Sequence, residues 1–418
     1  MTSGHIILDP TGTRTYSQFD ELRDLGSAVL VELPAGVIAW SVSRGDVVRK
    51  LLTDPRVSKD ARASWPGYQP YRIAWLTVWV DVISMLTSDG PDHKRLRDLV
   101  GRAFTPRRVE ALRPAVEAIV TDLLEDLGTE PPDVTVDLRE RFSIPVPSGV
   151  ICDLFGVPDP QRPNIVRLMD SVLDTSLTDA QADIVRRALF AAMNTLIDGK
   201  LDTPGDDMTS LLLTAHTDTG AALSRDELVS TLILMIGAGS ETTVSLINHA
   251  VVALLTHPGQ LAAVAADPAR WSDVIDESLR QHPPVAHLPL RYATDDIDLG
   301  DVVIPAGDPI LIAFGAHGRD PRTNPDPDVF AIDRADREHL AFGHGIHYCL
   351  GAPLARLEAS VALPALFRAF PGMRLDCPPE DLTPQPSFIT NDYRRLPVTL
   401  GPRPTAPFTS ADADRDDM

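Results

Sequence analysis

The longest apolar periodicity in the chain runs from Leu228 to about Leu255, and it limits the fold more than any other stretch. Ser224 and Glu227 stand at the spacing in which each side chain caps the other's backbone N–H, so a helix starts there, and His257-Pro258 ends it. A helix of roughly 30 residues is about 45 Å long, enough to cross a whole domain. The remaining chain must be wrapped around it. Its middle reads Ile236-Gly237-Ala238-Gly239-Ser240-Glu241-Thr242-Thr243. Each glycine inside a helix costs about 1 kcal/mol relative to alanine, so something should compensate at this point. The plain alternative is a polar patch where a long helix surfaces.

The second constraint is Phe342 to Glu358, FGHGIHYCLGAPLARLE. Glycines at 343 and 345 mark a loop that side chains cannot crowd, and Gly351, Ala352 and Pro353 open a helix directly after Cys349. Free N–H groups and the positive end of a helix dipole favour a thiolate, which makes Cys349 a nucleophile or a metal ligand. A buried inert cysteine is the competing reading. Spacing separates them: Phe342 lies seven residues before Cys349, His347 two before, and small residues occupy 343, 345 and 351.

This pattern resembles the haem-binding loop of the cytochrome P-450 family, specifically its bacterial, actinobacterial members, and the likeness spans about Leu30 to Leu400. The resemblance implies a mainly α fold with small β-sheets, a triangular helical part beside a smaller β-rich region, in one domain. It makes the Cys349 thiolate the axial ligand of haem b (iron protoporphyrin IX). It implies that His93 and Arg97, four apart on one helix face after Ser88-Asp89-Gly90-Pro91, reach a haem propionate, that Arg291 and His347 do the same, and that Gly351 lies against the cofactor. In the long helix, Ala238 and Gly239 would leave room for porphyrin and O2 where the helix opens, while Glu241 and Thr242 organise water for proton delivery. Glu277 and Arg280 form the family's ExxR ion pair, joined by Arg334, with a folding role.

Five aromatics fall between Trp65 and Trp79 without a helical period, which reads as a long loop closing over something apolar, with core packing as the alternative. By the resemblance, Trp79, Val82, Met85 and Leu86 line one side of a substrate pocket and Met235 with Ala238 another. Val285, His287 and Leu288 lead to Arg291 and line a third. His287 would offer a hydrogen bond to substrate, or is satisfied by a carbonyl. Phe388 and Ile389 point in from near the C-terminus. Ile165 to Leu177 lies where the family has a mobile lid.

Elsewhere, Ala28 to Leu33 and Val37 to Val42 read as a hairpin around Pro34-Ala35-Gly36, and Asp46 to Leu52 as a short helix. Arg108 to about Asp198 is mostly amphipathic helix with an interruption around Pro145, Pro147 and Pro158. Ile297 to Leu311 is strand-like. Residues 1–402 form the domain, and 403–418, rich in Pro, Ala, Ser and Asp, a disordered tail.

The net charge of −21 argues against nucleic acid as a partner, and three cysteines in 418 residues argue against a disulfide framework. No signal peptide and no membrane-spanning apolar run is evident, so a soluble, cytoplasmic monomer is expected. Six Lys/Arg between His93 and Arg108 form a basic island, either a solvated helix face or a docking site for an anionic partner. No flavin or iron–sulfur motif is present, so NAD(P)H would act indirectly, through a ferredoxin reductase and a ferredoxin. The expected reaction is insertion of one oxygen atom of O2 into a C–H bond of a steroid or macrocyclic polyketide. Rivals on the same fold are peroxide-driven turnover, oxidative coupling, and a non-catalytic partner protein. Intact Glu241-Thr242 and an intact Cys loop oppose the first and the last.

Overall fold

The computed structural model describes residues 5–102, 104–215 and 222–402. Its helices of ten or more residues are α1 (Thr15–Leu25), α2 (Gly90–Gly101), α3 (Arg113–Leu127), α4 (Pro145–Leu154), α5 (Arg162–Val172), α6 (Asp179–Asp202), α7 (Arg225–Thr256), α8 (Trp271–Gln281) and α9 (Ala352–Ala369). The strands are β1 (Ile6–Ile7), β2 (Val29–Leu33), β3 (Val37–Val42), β4 (Val57–Ser58), β5 (Thr135–Asp137), β6 (His287–Ala293), β7 (Ile297–Asp298), β8 (Val303–Ile304), β9 (Pro309–Ala313), β10 (Arg374–Leu375) and β11 (Pro397–Thr399). They make a six-stranded sheet of order β1-β2-β3-β9-β6-β4, a three-stranded sheet β10-β11-β5 and a two-stranded β7-β8.

Helix α7 is the axis. The capping box is present in full, with the Ser224 hydroxyl accepting from Glu227 N and the Glu227 carboxylate accepting from Ser224 N at 2.8 Å. α4, α6, α8 and α9 pack against it. Among the described residues it is the one helix long and apolar enough to cross a membrane, and its burial inside the protein accounts for that composition. The largest core cluster joins α3, α4, α5, α7 and α9, and separate clusters cover the two faces of the large sheet.

Three expectations change. Pro145 and Pro147 do not interrupt the helical half: Pro145 is the first residue of α4, where a missing N–H costs nothing, and a π-helical turn, Arg139–Ser143, precedes it. The aromatic stretch is not loop throughout: Trp75 and Trp79 stand on the short helical segments Ala74–Leu76 and Thr77–Val80, while residues 65–73 are turn and bend. Trp65 stacks on Tyr292 with ring centres 5.7 Å apart, and Trp75 packs edge-on against Phe388 at 5.5 Å while donating to Pro34 O at 3.2 Å. Trp75 is core, and half-buried Trp65 packs against that core. Third, α7 runs through the Gly237–Thr243 region without a break; Thr242 Oγ1 donates to Ala238 O at 2.8 Å, one turn back, and keeps that carbonyl satisfied. The tail expected at 403–418 lies outside the described residues.

Candidate active site

Cys349 sits between a single 3-10 turn, Gly345–His347, and the start of α9. Gly343 and Gly345 adopt φ of 72° and 76°, a left-handed backbone that a side chain would strain, and this lets the chain double back so that Cys349 N donates to Phe342 O at 2.8 Å. The sulfur accepts from the backbone N–H groups of Gly351 and Ala352. Burial pushes the thiol up, and that outweighs the lowering by those two N–H groups and by Arg97. An adjacent cation would reverse the balance and ionise the sulfur. Although protein surrounds most of it, Cys349 is exposed, so it faces an opening.

The other wall of an opening appears on α7. This helix is buried along most of its length, yet Ala238 is exposed and Gly237, Gly239 and Thr242 are half-buried. Thr243, one residue on, lies near Glu358 of α9, and the two helices pack along each other, which brings the middle of α7 beside the helix that follows Cys349. Gly239 serves a different purpose from the one expected. A Cβ there would lie 2.5 Å from Ile151 Cδ1, so its smallness lets α4 pack on α7 rather than making room for a cofactor.

Glu241 and Thr242 point apart. Thr242 borders the open side, whereas Glu241 is buried and accepts from Arg139 Nη2 at 3.1 Å. The same guanidinium donates to Asp170 of α5 and to Asp392, each at 3.0 Å. Burial, opposed by Arg139 and aided by Asp170 and Asp392, raises the Glu241 carboxyl to about 8. Three carboxylates share one cation, so a proton is retained among them near neutrality.

His93, Arg97, Arg291 and His347, spread over 255 positions of sequence, converge. The His93 and His347 rings meet edge-on at 4.5 Å, and Arg97 donates to Tyr348 O at 2.7 Å. Arg291, on β6, is 4% exposed and makes no hydrogen bond or ion pair with any described residue; burial lowers it to about 10. His93 Nε2 is likewise buried without a partner. Burial lowers His347 to about 4, so its ring is neutral and its Nε2–H donates to Asp89 at 3.4 Å.

Of the expected pocket residues, Ala238 is exposed, Trp79, Met85, Leu86, Val285 and Leu288 are half-buried, and the Trp79 indole N–H has no partner. Val82, Met235, Phe388 and Ile389 are buried. Phe388 and Ile389 belong to the core under the large sheet, because the chain there is tied down by Ala286 N to Ile389 O at 2.8 Å. His287 is buried too: its Nδ1 meets Phe388 O at 2.8 Å and its ring lies 4.9 Å from that of Phe19, so it faces the core and not an opening. The carbonyl alternative holds. Ile83, 37% exposed, is the apolar side chain that the sequence reading missed next to Val82.

Glu358 was also missed, though its spacing on the buried face of α9 was readable. It is wholly buried, and burial, only partly offset by Thr243, raises it to about 8. A carboxyl raised from 4.5 in the unfolded chain stabilises the fold fully below about 4.5, and that contribution is lost as pH rises towards 8. Glu358→Gln is therefore expected to flatten the fall of the melting temperature between about pH 5 and 8, as read by circular dichroism; an unchanged slope would mean that the carboxyl is not neutral in the fold.

Comparison with known proteins agrees with this geometry. The Cytochrome P450 family pattern matches residues 271–394. The chain is 42% identical, over 96% of its length and 98% of the relative's, to a 2-hydroxy-5-methyl-1-naphthoate 7-hydroxylase of Streptomyces carzinostaticus. It is 38% identical, over 92% and 96%, to the 6-deoxyerythronolide B hydroxylase of Saccharopolyspora erythraea. The testosterone-bound structure of CYP154C4 from a Streptomyces species superposes with a TM-score of 0.91 at 39% identity, covering 97% of this chain and all of that one. The chain belongs to the cytochrome P450 family and is a monooxygenase of its bacterial branch.

Proposed function

We propose that the enzyme hydroxylates a flat, fused-ring apolar substrate, of the size of a steroid or aromatic polyketide, as a soluble cytoplasmic monomer that receives electrons from a ferredoxin and its NAD(P)H-dependent reductase. One observation carries the chemistry: a sulfur held by two backbone N–H groups at a helix start, beside the helix whose exposed Ala238 and half-open Thr242 border free space.

Membership of the family implies haem, with O2 as co-substrate, and the residues fit that group. Among the described residues, buried Arg291 makes no hydrogen bond or ion pair and His93 Nε2 has no partner, and a dianionic porphyrin edge supplies what they need. Cys349 would ligate the iron, and His93, Arg97, Arg291 and His347 would hold the carboxylates. When bound, the haem supplies the redox chemistry that activates O2. The protein's own part is the following. Thr242 presents a hydroxyl that can exchange its Ala238 carbonyl for a water in the open space. Glu241 stores a proton against Arg139 and can refill that water, so protons arrive from the interior while the apolar wall of Met85, Leu86 and Leu288 keeps bulk water off the substrate.

A fused-ring substrate is favoured because the naphthoate hydroxylase and the testosterone-bound structure both concern planar ring systems, and because Trp79 offers an unpartnered indole N–H beside apolar side chains. The relative that hydroxylates 6-deoxyerythronolide B supports a second reading, a macrolactone. Titrating the ferric protein with steroids, naphthoates and macrolactones decides between them: the class that shifts the Soret band and is turned over with ferredoxin and reductase is the substrate class. No shift with any of the three would remove the reading.

The docking part narrows to fewer residues than the basic island suggested. Arg95 is paired with Glu227, Lys94 with Asp98, and Arg97 is turned to Tyr348 O. Arg107 and Arg108 remain exposed. Arg107→Glu with Arg108→Glu is expected to slow reduction by ferredoxin about tenfold at low salt and to flatten its ionic-strength dependence. Equal rates at low salt in stopped-flow would move the docking face elsewhere.

A further inference from the structure

Lys59 is an oddity that the functional reading leaves unexplained. It is 2% exposed, and its Nζ donates to the carbonyls of Leu290 at 2.9 Å and Pro289 at 3.2 Å, which leaves one of its three N–H bonds unused. Among the described residues no carboxylate touches the ammonium. The antiparallel pairing of β4 with β6 sets Val57 opposite Ala293 and Ser58 opposite Tyr292, and one further step along that register sets Lys59 opposite Arg291. Two like charges face each other across neighbouring strands inside the protein, an arrangement that costs free energy unless an anion joins them. Burial and Arg291 both hold the Lys59 ammonium well below its ordinary pKa.

Among the described residues Asp89 is the one carboxylate near the pair, and it is already engaged. It accepts from Ser58 Oγ at 2.6 Å, Lys59 N at 2.8 Å, Asp60 N at 3.2 Å and His347 Nε2 at 3.4 Å. These bonds overcome its burial and keep it ionised. Lys59, when protonated, and Arg291 thus face one carboxylate, Asp89, whose oxygens are already taken by four other donors. A ligand with carboxylates at this point would supply the counter-charge that the protein does not.

We propose that Lys59 is a charge-balancing residue of the haem site: set across β4 and β6 from Arg291, it supplies the second of the two positive charges that the haem carboxylates neutralise. This rests on the reading of Arg291 as a carboxylate ligand. Lys59 lies at the end of a two-residue strand, 232 positions from Arg291 and 290 from Cys349, and belongs to no motif of the cysteine loop.

The test follows haem loss from the loaded protein to excess apomyoglobin by Soret absorbance, for the native chain, Lys59→Met and Arg291→Leu, each with haem b and with its dimethyl ester, which carries no carboxylate charge. With haem b, Lys59→Met should lose haem about tenfold faster, as expected for removal of one charge-assisted interaction. With the ester, native and Lys59→Met should lose it at equal rates. The haem-free Lys59→Met protein should melt no lower than the native one, because an apolar side chain replaces a poorly compensated buried charge. Equal loss of haem b from Lys59→Met and native protein, or a similar acceleration with the ester, overturns the assignment. A haem-free Lys59→Met protein that melts far lower would give Lys59 a purely structural role and overturn it too. If Arg291→Leu also retains haem b like the native protein, the carboxylate site itself has been misread; if only Arg291→Leu loses it, the site stands and Lys59 is no part of it.

Discussion

Cys349→Ser is expected to fold and to bind haem, but to lose both the strongly red-shifted Soret band of the reduced carbon monoxide complex and at least about a thousandfold of its turnover. Serine keeps the loop, because the bonds that shape it are backbone bonds: Cys349 N to Phe342 O at 2.8 Å, and Gly343 N to Leu340 O at 2.8 Å. Its oxygen can also accept from Gly351 and Ala352. What it cannot supply is a soft anionic ligand at neutral pH, since a hydroxyl ionises far less readily than a thiol. The electron donation that distinguishes a thiolate-ligated haem from a histidine-ligated one is then gone, and with it the rate. Neither other cysteine can substitute. Cys152 is buried in α4, where desolvation pushes its thiol up to about 11, and the Cys377 thiol is pushed up by burial and by Asp381, Asp376 and Glu380 around it. A serine variant that kept the red-shifted band would mean that Cys349 is not the ligand.

The parts of this site that were legible from spacing alone, without the family likeness that joined His93, Arg97, Arg291 and His347, share a property: their partners lie within a few residues. The capping box at Ser224 and Glu227, the Glu277–Arg280 pair and the cysteine loop each depend on local spacing, and all three stand as the spacing required. The hairpin of β2 and β3 was equally local. What could not be read depends on which distant segments meet. Arg139 finds Glu241 102 positions away, and Lys59 meets the Leu290 carbonyl 231 positions away. No periodicity encodes such a meeting. The apolar wall shows a second limit. Val82, Phe388 and Ile389 are as apolar as Met85 and Leu288, and composition cannot say which of them faces the opening; strand pairing and the Ala286 to Ile389 bond decide it. Gly239 shows a third. A glycine signals close approach, but whether by a ligand or by Ile151 of a neighbouring helix follows only from the packing.

The largest effect on stability is expected at Arg280, outside the chemistry. Arg280 and Glu277 are both fully buried. All five N–H bonds of the guanidinium are used: Nε to Glu277 Oε2 at 2.7 Å, Nη2 to Glu277 Oε1 at 2.9 Å and to Val329 O at 3.1 Å, and Nη1 to Gly318 O at 2.5 Å and Pro327 O at 2.9 Å. Glu277 Oε1 also accepts from Ala331 N at 2.9 Å and Arg334 Nε at 3.3 Å, so the pair clamps α8 to the chain that leads into the cysteine loop. Packing around it is tight enough that a Cβ on Gly318 would stand 2.1 Å from Arg280 O. Arg280→Ala leaves a buried carboxylate supported only by Arg334 and Ala331 N, and the Gly318 and Pro327 carbonyls without their donor, which costs about 3 to 5 kcal/mol for the broken pair alone. Against a total stability of about 5 to 15 kcal/mol, the expected product is an unfolded or aggregated chain. Arg280→Lys should recover little, because an ammonium has three donors and cannot bridge both carboxylate oxygens and three carbonyls at once. Thermal melts of the purified variants test this. If Arg280→Ala melted within a few degrees of the native protein, the network would be an accessory to the fold, and the segment from Gly318 to Arg334 would have to be held by its backbone alone.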